Sequence, residues 1–447
     1  MTDMGDGRSP AGVFREVGTK QAGETQDRWS WVEPSVWTPR MRTALNNGVK
    51  GGKWFSLVDK VYQKKNLEAA FCKVKRRGGA AGVDHQTVDQ FERQVEAHLE
   101  SIATRLIEGT YRAQDLRRVW IAKPGSKEKR PLGIPTVQDR VVQTALRHVL
   151  EPIFERDFAP QSYGFRPGRG CKDALRHVDT LLKSGYTWVV DADIKSYFDT
   201  IPHDGLMERV EEKIADSRVI ELVRQYLKQG TLEGMREWEP EAGTPQGSGI
   251  SPLLANIYLD PLDHQMAEVG YEMIRYADDI VVLCRSEGEA CAALKRIQTW
   301  MHQAGLNLHP EKTRIVDATQ PGGFDFLGYH FERGHHWPRK KSLKKLKDAL
   351  RMKTKRCNGN SLARIIQDVN STLAGWFVYF KHSTKSTFPP LDMWIRMRFR
   401  SILRRREGRK GRGRGADHQR WPNAFFEENG LLSLTAARVS LCSSSKR

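Results

Sequence analysis

The segment IRYADDIVVL, residues 274–283, places two adjacent aspartates between two runs of strand-forming residues. This pattern predicts a β-hairpin whose turn contains Asp278 and Asp279. Upstream, the segment WVVDADIKSYF, residues 188–198, surrounds Asp193 with similar strand formers. Carboxylates are poor strand formers, and they are costly to bury without a partner. Because adjacent carboxylates also repel each other, we expect a divalent cation where these two segments meet.

The chemistry of the ligands indicates which cation this is. Mg²⁺ prefers oxygen ligands and typically binds one or two carboxylates together with substrate phosphates. Two such ions can activate an attacking hydroxyl and stabilise a leaving oxygen, which suits phosphoryl or nucleotidyl transfer. A plain turn is the simpler interpretation of an isolated Asp-Asp pair. The flanking Tyr276-Ala277 and the second acidic strand favour the metal site.

Length and composition exclude several classes of protein. The chain has 447 residues, with 73 Lys and Arg against 54 Asp and Glu, which is enough for several domains. Its apolar runs fall far short of the about 20 residues that span a bilayer, and its first 28 residues are polar and Gly-rich, unlike a secretory signal. The six cysteines contain no C-x-x-C pair, so neither a disulfide scaffold nor a zinc site is expected. We expect a soluble protein of a reducing compartment, without contact to a membrane.

The positive charge is concentrated in one segment. Residues 333–415 contain 24 Lys and Arg but only four acidic residues, whereas the rest of the chain is close to neutral. A neutral body with one basic segment indicates a surface for a polyanion, because neutralising phosphates releases counterions. A solvated helix face followed by a loose tail is the alternative interpretation.

The spacing of apolar residues divides the chain into three parts. Helical spacing dominates 54–111, strands and helices alternate over 118–331, and helical spacing returns beyond 340. The strands predicted after the hairpin are 312–316 and 324–331, and the clearest late helix is 362–380. Residues 1–50 are predicted to be loosely ordered around a few tryptophans, and RRREGRKGRGRG, residues 404–415, to be flexible.

The hairpin is one of eight short motifs that occur in a fixed order. They are GGAAGVD (78–84), RPLGIP (130–135), SYGFRPG (162–168), DIKSYFD (193–199), GTPQGSGISPLLAN (243–256), YADD (276–279), GLNLHPEKT (305–313) and FLGY (326–329). This series resembles the successive blocks of reverse transcriptases encoded by group II introns, and YADD is similar to their YxDD box. AGWFVY, residues 374–379, resembles the maturase or thumb region. The tail at 421–434 resembles that of endonuclease-lacking, class C-like bacterial members, so we expect no endonuclease domain.

The resemblance implies an α+β fold of the right-hand polymerase type. It consists of fingers and a palm with an antiparallel sheet, followed by a helical, basic thumb or maturase domain. The implied divisions are a loosely ordered N-terminal extension (1–55), fingers (56–185), palm (186–333), thumb/maturase (334–403) and a basic, DNA-binding-like C-terminal tail (404–447).

The resemblance also assigns the acidic residues. Asp193, Asp278 and Asp279 would be catalytic and would bind two Mg²⁺ ions, or Mn²⁺ in their place, with help from the backbone carbonyl of Ile194. Asp191 lies two residues before Asp193 on the same strand face and is the competing candidate.

Five further residues are implied to contact the nucleotide. Phe198 would exclude a ribose 2′-hydroxyl and so select dNTPs, although ordinary core packing is an equally good interpretation without the family. The other four are Arg130 and Lys123 on the triphosphate, Gln246 lining the nucleotide pocket and Lys312 protonating pyrophosphate. For the basic turn that contains Lys123, a solvated loop is the alternative.

Together these features predict a bacterial RNA-directed DNA polymerase in the cytoplasm, associated with the nucleoid when bound to target DNA. Its partners would be the group II intron RNA, an RNA template with a DNA primer, target DNA and dNTPs. By resemblance, it would also assist splicing and copy the intron into cDNA during mobility. Two alternatives stay open: a reverse transcriptase of a phage-defence or CRISPR-linked system, and an RNA-folding cofactor with a vestigial polymerase.

Overall fold

The computed structural model describes residues 28–122, 129–233, 236–238, 240–411, 413 and 415–444. The helices are α1 (Pro39–Asn47), α2 (Val58–Tyr62), α3 (Lys64–Arg77), α4 (Val88–Glu92), α5 (Val95–Glu108), α6 (Val137–Glu155), α7 (Cys171–Lys183), α8 (Tyr197–Thr200), α9 (His203–Glu211), α10 (Ser217–Leu227), α11 (Ser251–Glu268), α12 (Glu287–Gln303), α13 (Lys340–Lys353), α14 (Leu362–Phe380), α15 (Phe388–Arg406), α16 (Gly415–Arg420), α17 (Asn423–Glu428) and α18 (Leu434–Ser444). The strands are β1 (Leu116–Ala122), β2 (Lys129–Ile134), β3 (Trp188–Asp193), β4 (Thr231–Glu233), β5 (Arg236–Trp238), β6 (Glu272–Tyr276), β7 (Asp279–Cys284), β8 (Arg314–Asp317), β9 (Phe324–Phe326), β10 (Tyr329–Glu332) and β11 (His335–Pro338).

The sheet that we call the finger sheet has the strand order β2-β1-β4-β5. Strands β1 and β2 are antiparallel, whereas β1 and β4 are parallel. Helix α6 follows β2 closely and is capped at its N-terminus by Thr136, whose hydroxyl accepts a hydrogen bond from the backbone N–H of Asp139. The helix buries most of its length against its neighbours, so it connects the finger sheet rigidly to the rest of the molecule.

The sheet that we call the palm sheet is fully antiparallel, with the order β6-β7-β3-β8. Its strands bury apolar side chains on both faces, which explains why their sequences are nearly continuous apolar runs. Val190 and Val282 belong to the large core shared with helices α2–α6, which we call the finger helices, while Val189 and Val281 pack in a second core with α7 and β9–β10. The predicted hairpin at 274–283 is therefore confirmed.

Two predicted strands differ from the structure. Strand β3 ends at Asp193 instead of Phe198, because Ser196 has a φ of 50° and the chain turns there into α8. The segment 324–331 is a hairpin instead of a single strand. Leu327 and Gly328 both have positive φ, at 45° and 86°, which is the backbone of a tight two-residue hairpin turn.

Helices α13–α18, which we call the thumb helices, surround a core of their own. Phe377, Phe388 and Phe399 pack there with Phe426 and Leu434. The predicted separate C-terminal tail is thus corrected for the part that the structure describes, because apolar residues on both sides of position 404 share this core. Together with the antiparallel palm sheet and the antiparallel sheet β11-β10-β9, this arrangement confirms the predicted α+β fold with a helical C-terminal region.

The predicted looseness of the N-terminal extension also needs correction where it is described. Trp29 and Trp37 are buried, and the indole N–H of Trp37 donates to the carbonyl of His148 in α6 at 2.8 Å. Residues 28–55 therefore pack on the finger helices, and residues 1–27 lie outside the described part. Within the described ranges, no helix is both long enough and apolar enough to span a bilayer.

Candidate active site

The palm sheet brings the predicted acidic residues together. Asp193, the last residue of β3, pairs directly with Asp279, the first residue of β7. Directly opposed residues of an antiparallel pair point to the same face, so both carboxylates emerge side by side. Asp278 adjoins them in the turn between β6 and β7. Asp191 lies on the same face two residues away, opposite Val281 and Arg314.

The end of β3 is fixed by the segment that follows α12. The backbone N–H of His309 donates to the carbonyl of Asp193 at 2.7 Å, and the N–H of Lys195 donates to the carbonyl of Asn307 at 2.8 Å. Ile194 is buried and forms an isolated bridge with Leu308. These contacts hold the backbone on both sides of Asp193 in one position.

The turn of the hairpin has an unusual backbone. Ala277 has a φ of 59°, at the first central position of a two-residue turn where glycine is the usual residue. Gly164 packs directly on this turn, since a Cβ there would collide with the backbone nitrogen of Ala277. The motif SYGFRPG therefore needs its first glycine to support the acidic turn.

Sequence reasoning missed a buried ionic network beneath the turn. The guanidinium of Arg275 is fully buried and donates to both carboxylate oxygens of Asp263, to the amide oxygen of Asn256 at 3.0 Å and to the carbonyl of Ala277 at 3.0 Å. The Asn256 side chain in turn donates to the carbonyl of Gly164 at 2.8 Å. An arginine inside an apolar strand was the available signal. The network fixes the turn on which Asp278 lies.

Asp191, Asp193 and Asp279 lie on one face of the palm sheet, which we call the acidic face, and the pKa values of Asp191 and Asp279 are raised there. Burial in the cleft, together with the nearby carboxylates of Asp278 and Asp193, raises the pKa of Asp279 to about 6, while Arg339 opposes this shift. The side chain itself touches solvent, so it lies at the floor of an open cleft and is not enclosed in the core. Burial likewise raises the pKa of Asp191 to about 6, against the opposing effect of Arg314. This repulsion favours binding of a cation.

Two basic side chains form ion pairs with carboxylates of the acidic face. The ammonium of Lys312 lies 2.5 Å from a carboxylate oxygen of Asp193, and the Arg314 guanidinium lies 3.5 Å from Asp191. Lys312 thus lies beside the acidic residues with which the resemblance groups it. Because the Lys312 side chain is more than half exposed, it can leave Asp193 at little cost.

The donor set fits a divalent metal in kind. Within the described ranges, no three His, Cys, Asp or Glu side chains already converge in the geometry of a metal site. The facing carboxylates nevertheless supply only oxygen ligands, the kind that Mg²⁺ prefers, and they lie close enough that Asp278 and Asp193 help to raise the pKa of Asp279. The residues that could hold a metal are therefore Asp193, Asp278 and Asp279.

A cavity of about 370 Å³ lies between the finger sheet and the loop 243–249. Phe198, Asp199 and Gln246 line it together with residues of β1 and β2. The Gln246 amide donates to Asp199 at 3.0 Å, and its backbone carbonyl accepts from the N–H of Gly133 at 2.8 Å. The structure thus brings Phe198 and Gln246 to the same cavity, beside the end of β3.

The two predicted triphosphate contacts are only partly described. The backbone of Arg130 pairs with Ile121 in the finger sheet, whereas its side chain lies outside the described part. Lys123 lies outside the described residues altogether. Their role on the triphosphate stays a prediction.

A second cleft, of about 560 Å³, separates the palm sheet from the thumb helices. Asp279 forms part of its floor, and Arg339, Lys345 and Trp376 line its thumb side. The turn Leu327-Gly328 joins the two walls, because the Tyr379 hydroxyl donates to the carbonyl of Leu327 at 2.7 Å. The cleft therefore runs from the acidic face into the basic region.

The thumb helices present the charge that the sequence indicates. Lys341, Lys344 and Lys345 are exposed on α13. Lys347, Arg351 and Arg398 surround the ring of Trp394 at 5.7 to 5.8 Å from its centroid. Such aromatic and cationic surfaces suit nucleic acids, whose phosphates and bases they can contact.

Comparison with protein families identifies two matching segments. Residues 121–331 match the family described as reverse transcriptase (RNA-dependent DNA polymerase). Residues 343–421 match the maturase-specific domain of group II introns. The first segment contains the whole palm sheet, and the second covers most of the thumb helices.

Several curated proteins are similar to this chain. The group II intron-encoded protein LtrA of Lactococcus lactis subsp. cremoris is 32% identical over 313 residues, which cover 56% of this chain and 51% of that protein. Protein YkfC of Escherichia coli K12 is 32% identical over 308 residues, 60% of this chain and 80% of the relative. The chain thus spans about half the length of LtrA. Among solved structures, a chain of a partial Cas6-RT-Cas1–Cas2 complex is 25% identical with a TM-score of 0.36, covering 55% of this chain and 42% of that one.

Proposed function

This chain belongs to the reverse transcriptases encoded by group II introns, and we propose on that premise that it is an RNA-directed DNA polymerase. The observation that carries the proposal is the direct pairing of Asp193 with Asp279, next to Asp278 in the turn. Polymerisation by nucleotidyl transfer needs closely spaced carboxylates at the end of a cleft that admits a primer terminus. The palm–thumb cleft, with Asp279 on its floor, meets that requirement.

In this proposal Asp193, Asp278 and Asp279 hold two Mg²⁺ ions, or Mn²⁺, with the Ile194 carbonyl as a further ligand. When bound, the metals supply neutralisation of the phosphate charge and a more acidic primer hydroxyl. The chain's own residues orient the reactants. Phe198 and Gln246 line the cavity that receives the dNTP, and Lys312 provides an ammonium at the acidic face that can donate a proton to pyrophosphate. Arg130 and Lys123 would bind the triphosphate.

We assign the polymer substrates to the two clefts. The RNA template and DNA primer would enter between the palm sheet and the thumb helices, with the predicted palm (186–333) and thumb (334–403) regions as the two walls. The exposed lysines of α13 would bind phosphates of this duplex or of structured RNA. The fingers (56–185) would cover the incoming nucleotide.

The maturase-specific match supports a role in splicing. We propose that the thumb helices bind the group II intron RNA and assist its folding. Copying of the intron into cDNA at a target DNA then completes its mobility. Structured RNA is recognised largely by shape and phosphate contacts, which a basic helical surface provides.

The decisive experiment compares primer extension by the wild type and by Asp278→Ala on a poly(rA) template with an oligo(dT) primer and Mg²⁺. We expect the variant to lose more than about a hundredfold in rate, since even partners of metal ligands cost 10- to 100-fold when removed. Binding of intron RNA should change little.

Asp191→Asn is the matched control, because this acid shares the strand face but lies one pair further from the turn. It should retain most of the extension activity. Normal extension by Asp278→Ala would remove the assignment of the acids. Stimulation of splicing by a wild-type protein that extends no primer would favour the RNA-folding cofactor instead.

A further inference from the structure

We propose that Phe165 is a positioning residue that holds the side chain of Phe198 in place and thereby sharpens the discrimination between dNTPs and rNTPs. The inference deepens the proposed polymerase function and rests on it. The main observation that supports this inference is an edge-to-face contact between the two rings, whose centroids are 6.4 Å apart and whose planes meet at 80°. Phe165 stands in the motif SYGFRPG, directly after the glycine that supports the acidic turn.

Phe165 is an unusual residue by two criteria. Its φ is 60°, in the left-handed region that an aromatic residue rarely adopts. Its side chain is also 44% exposed, whereas phenylalanine side chains are usually buried in folded proteins. A strained and exposed aromatic residue persists where its surroundings fix the backbone, and such positions concentrate at functional sites.

The surroundings fix the backbone from both sides. Gly164 is wedged under the acidic turn, where its carbonyl accepts a hydrogen bond from Asn256. On the other side, the Arg166 guanidinium is buried in an ion pair with Glu155 and donates to the carbonyl of Ala159 at 2.6 Å and to that of Ser162 at 2.8 Å. Phe165 is therefore projected from a segment that cannot relax, and its position is coupled to that of the catalytic turn.

The Phe198 side chain is only partly buried where it packs against the large core, so contacts from neighbouring rings contribute to its position. Its backbone is held by the N–H of Thr244, which donates to the Phe198 carbonyl at 2.6 Å. Its ring also contacts Tyr197 at 5.6 Å, and the buried Tyr197 hydroxyl donates to the carbonyl of Ala255 at 2.5 Å. Phe165 supplies a second ring contact, so the Phe198 ring, which also packs against the large core, has one buried and one exposed aromatic neighbour. A ring that excludes a hydroxyl group by contact must not swing away, so loss of Phe165 should admit ribose.

The test measures the ratio of kcat/KM for dTTP to that for UTP on a poly(rA) template. We expect Phe165→Ala to lower this ratio by about three- to tenfold, the range that corresponds to an edge-to-face aromatic pair. Phe165→Tyr keeps the ring and should preserve the ratio. Phe55→Ala, at another exposed aromatic residue that is 64% accessible, is the control for loss of a surface ring and should leave the ratio unchanged.

Phe165→Gly separates the ring from the backbone. Glycine adopts a positive φ without strain, so a role limited to the loop backbone predicts wild-type discrimination in this variant. Our inference predicts the same loss as with alanine. In a Phe198→Val background, Phe165→Ala should cause no additional loss, because the two residues act through one gate.

The possible failures are distinguishable. A wild-type protein that extends no primer overturns the proposed function and this inference with it. A wild type that extends the primer and a Phe198→Val variant that loses discrimination, combined with unchanged ratios in Phe165→Ala and Phe165→Gly, overturn the inference alone. Additive losses in the double variant would show that Phe165 acts independently of Phe198, which also contradicts the proposal.

Discussion

The palm hairpin and the thumb helices use charge in opposite ways. Beneath the hairpin, the charged side chains are buried and paired with each other, as in Arg275 with Asp263 and Arg166 with Glu155. On the thumb helices, exposed cations outnumber acids. Buried pairs act over short distances on fixed partners, whereas exposed cations act on mobile polyanions and are screened by salt. The first arrangement positions chemistry, and the second binds a polymer.

The largest effect is expected from breaking the palm network. Arg275→Met leaves the Asp263 carboxylate buried without a partner, so we expect it to lower the free energy of unfolding by about 3 to 5 kcal/mol. Urea titration followed by circular dichroism measures this loss. Arg351→Ala removes an exposed ion pair with Asp348 and one of the three cations around Trp394, and it should change stability by less than about 1 kcal/mol.

A double variant sharpens the interpretation. Asp263→Leu combined with Arg275→Met removes both charges and should recover part of the lost stability, because no isolated charge is left in the core. If Arg275→Met were as stable as Arg351→Ala, the contrast between the two regions would not hold.

The next effect concerns RNA binding by the thumb. Lys341, Lys344 and Lys345 lie on one face of α13, since they are spaced three and four residues apart. Their joint replacement by alanine should flatten the dependence of log K on log salt by about 0.7 to 0.9 for each phosphate that the protein no longer neutralises. Filter binding of intron RNA over a range of KCl concentrations measures the slope. Alanine at the exposed Lys64 and Lys65 on α3 is the control, and an equal change per removed charge there would show that the charge acts without a defined surface.

A smaller effect is expected at the joint between the two regions. Tyr379→Phe removes the hydroxyl that donates to Leu327, while the ring remains in the cluster with Tyr329 and Phe380. The loss of one such hydrogen bond should cost about 0.5 to 1.5 kcal/mol. Thermal unfolding measures it, and a second transition appearing in the variant would show that the thumb helices unfold separately.

The sequence predicted the hairpin and its acids because both signals are local. Aspartates interrupting strand formers at 188–198 and 274–283 are visible without the fold. The partners of Arg275 could not be predicted, since Asp263 and Asn256 lie on α11 and meet the strand only through tertiary packing. Local composition also gave a wrong prediction for the C-terminal tail. The basic residues at 404–415 favoured a separate, flexible segment, whereas Phe426 and Leu434 further along the chain complete the thumb core.

The effect on stability at the acidic face should be the smallest, and it should depend on pH. The pKa of Asp279 is raised to about 6 in the folded protein, above its ordinary value of 3.8. The folded state therefore binds this proton more tightly than the unfolded state, so the carboxyl group favours folding at low pH and loses that contribution as the pH rises from about 4 through 6. In metal-free buffer at pH 7, Asp279→Asn should be more stable than the wild type by less than about 1 kcal/mol, because the exposed carboxylate is screened by water.

The difference between the two proteins should shrink as the pH falls towards 4, where Asp279 becomes protonated in the wild type as well. Melting temperatures of both proteins from pH 4 to pH 8 measure this difference. Added Mg²⁺ should reverse the order at pH 7, because binding to the folded state stabilises the protein with the full set of carboxylates more strongly. A wild type that gains nothing from Mg²⁺ over Asp279→Asn would argue that the basic side chains of Lys312, Arg314 and Arg339, and no metal, balance this face of the palm.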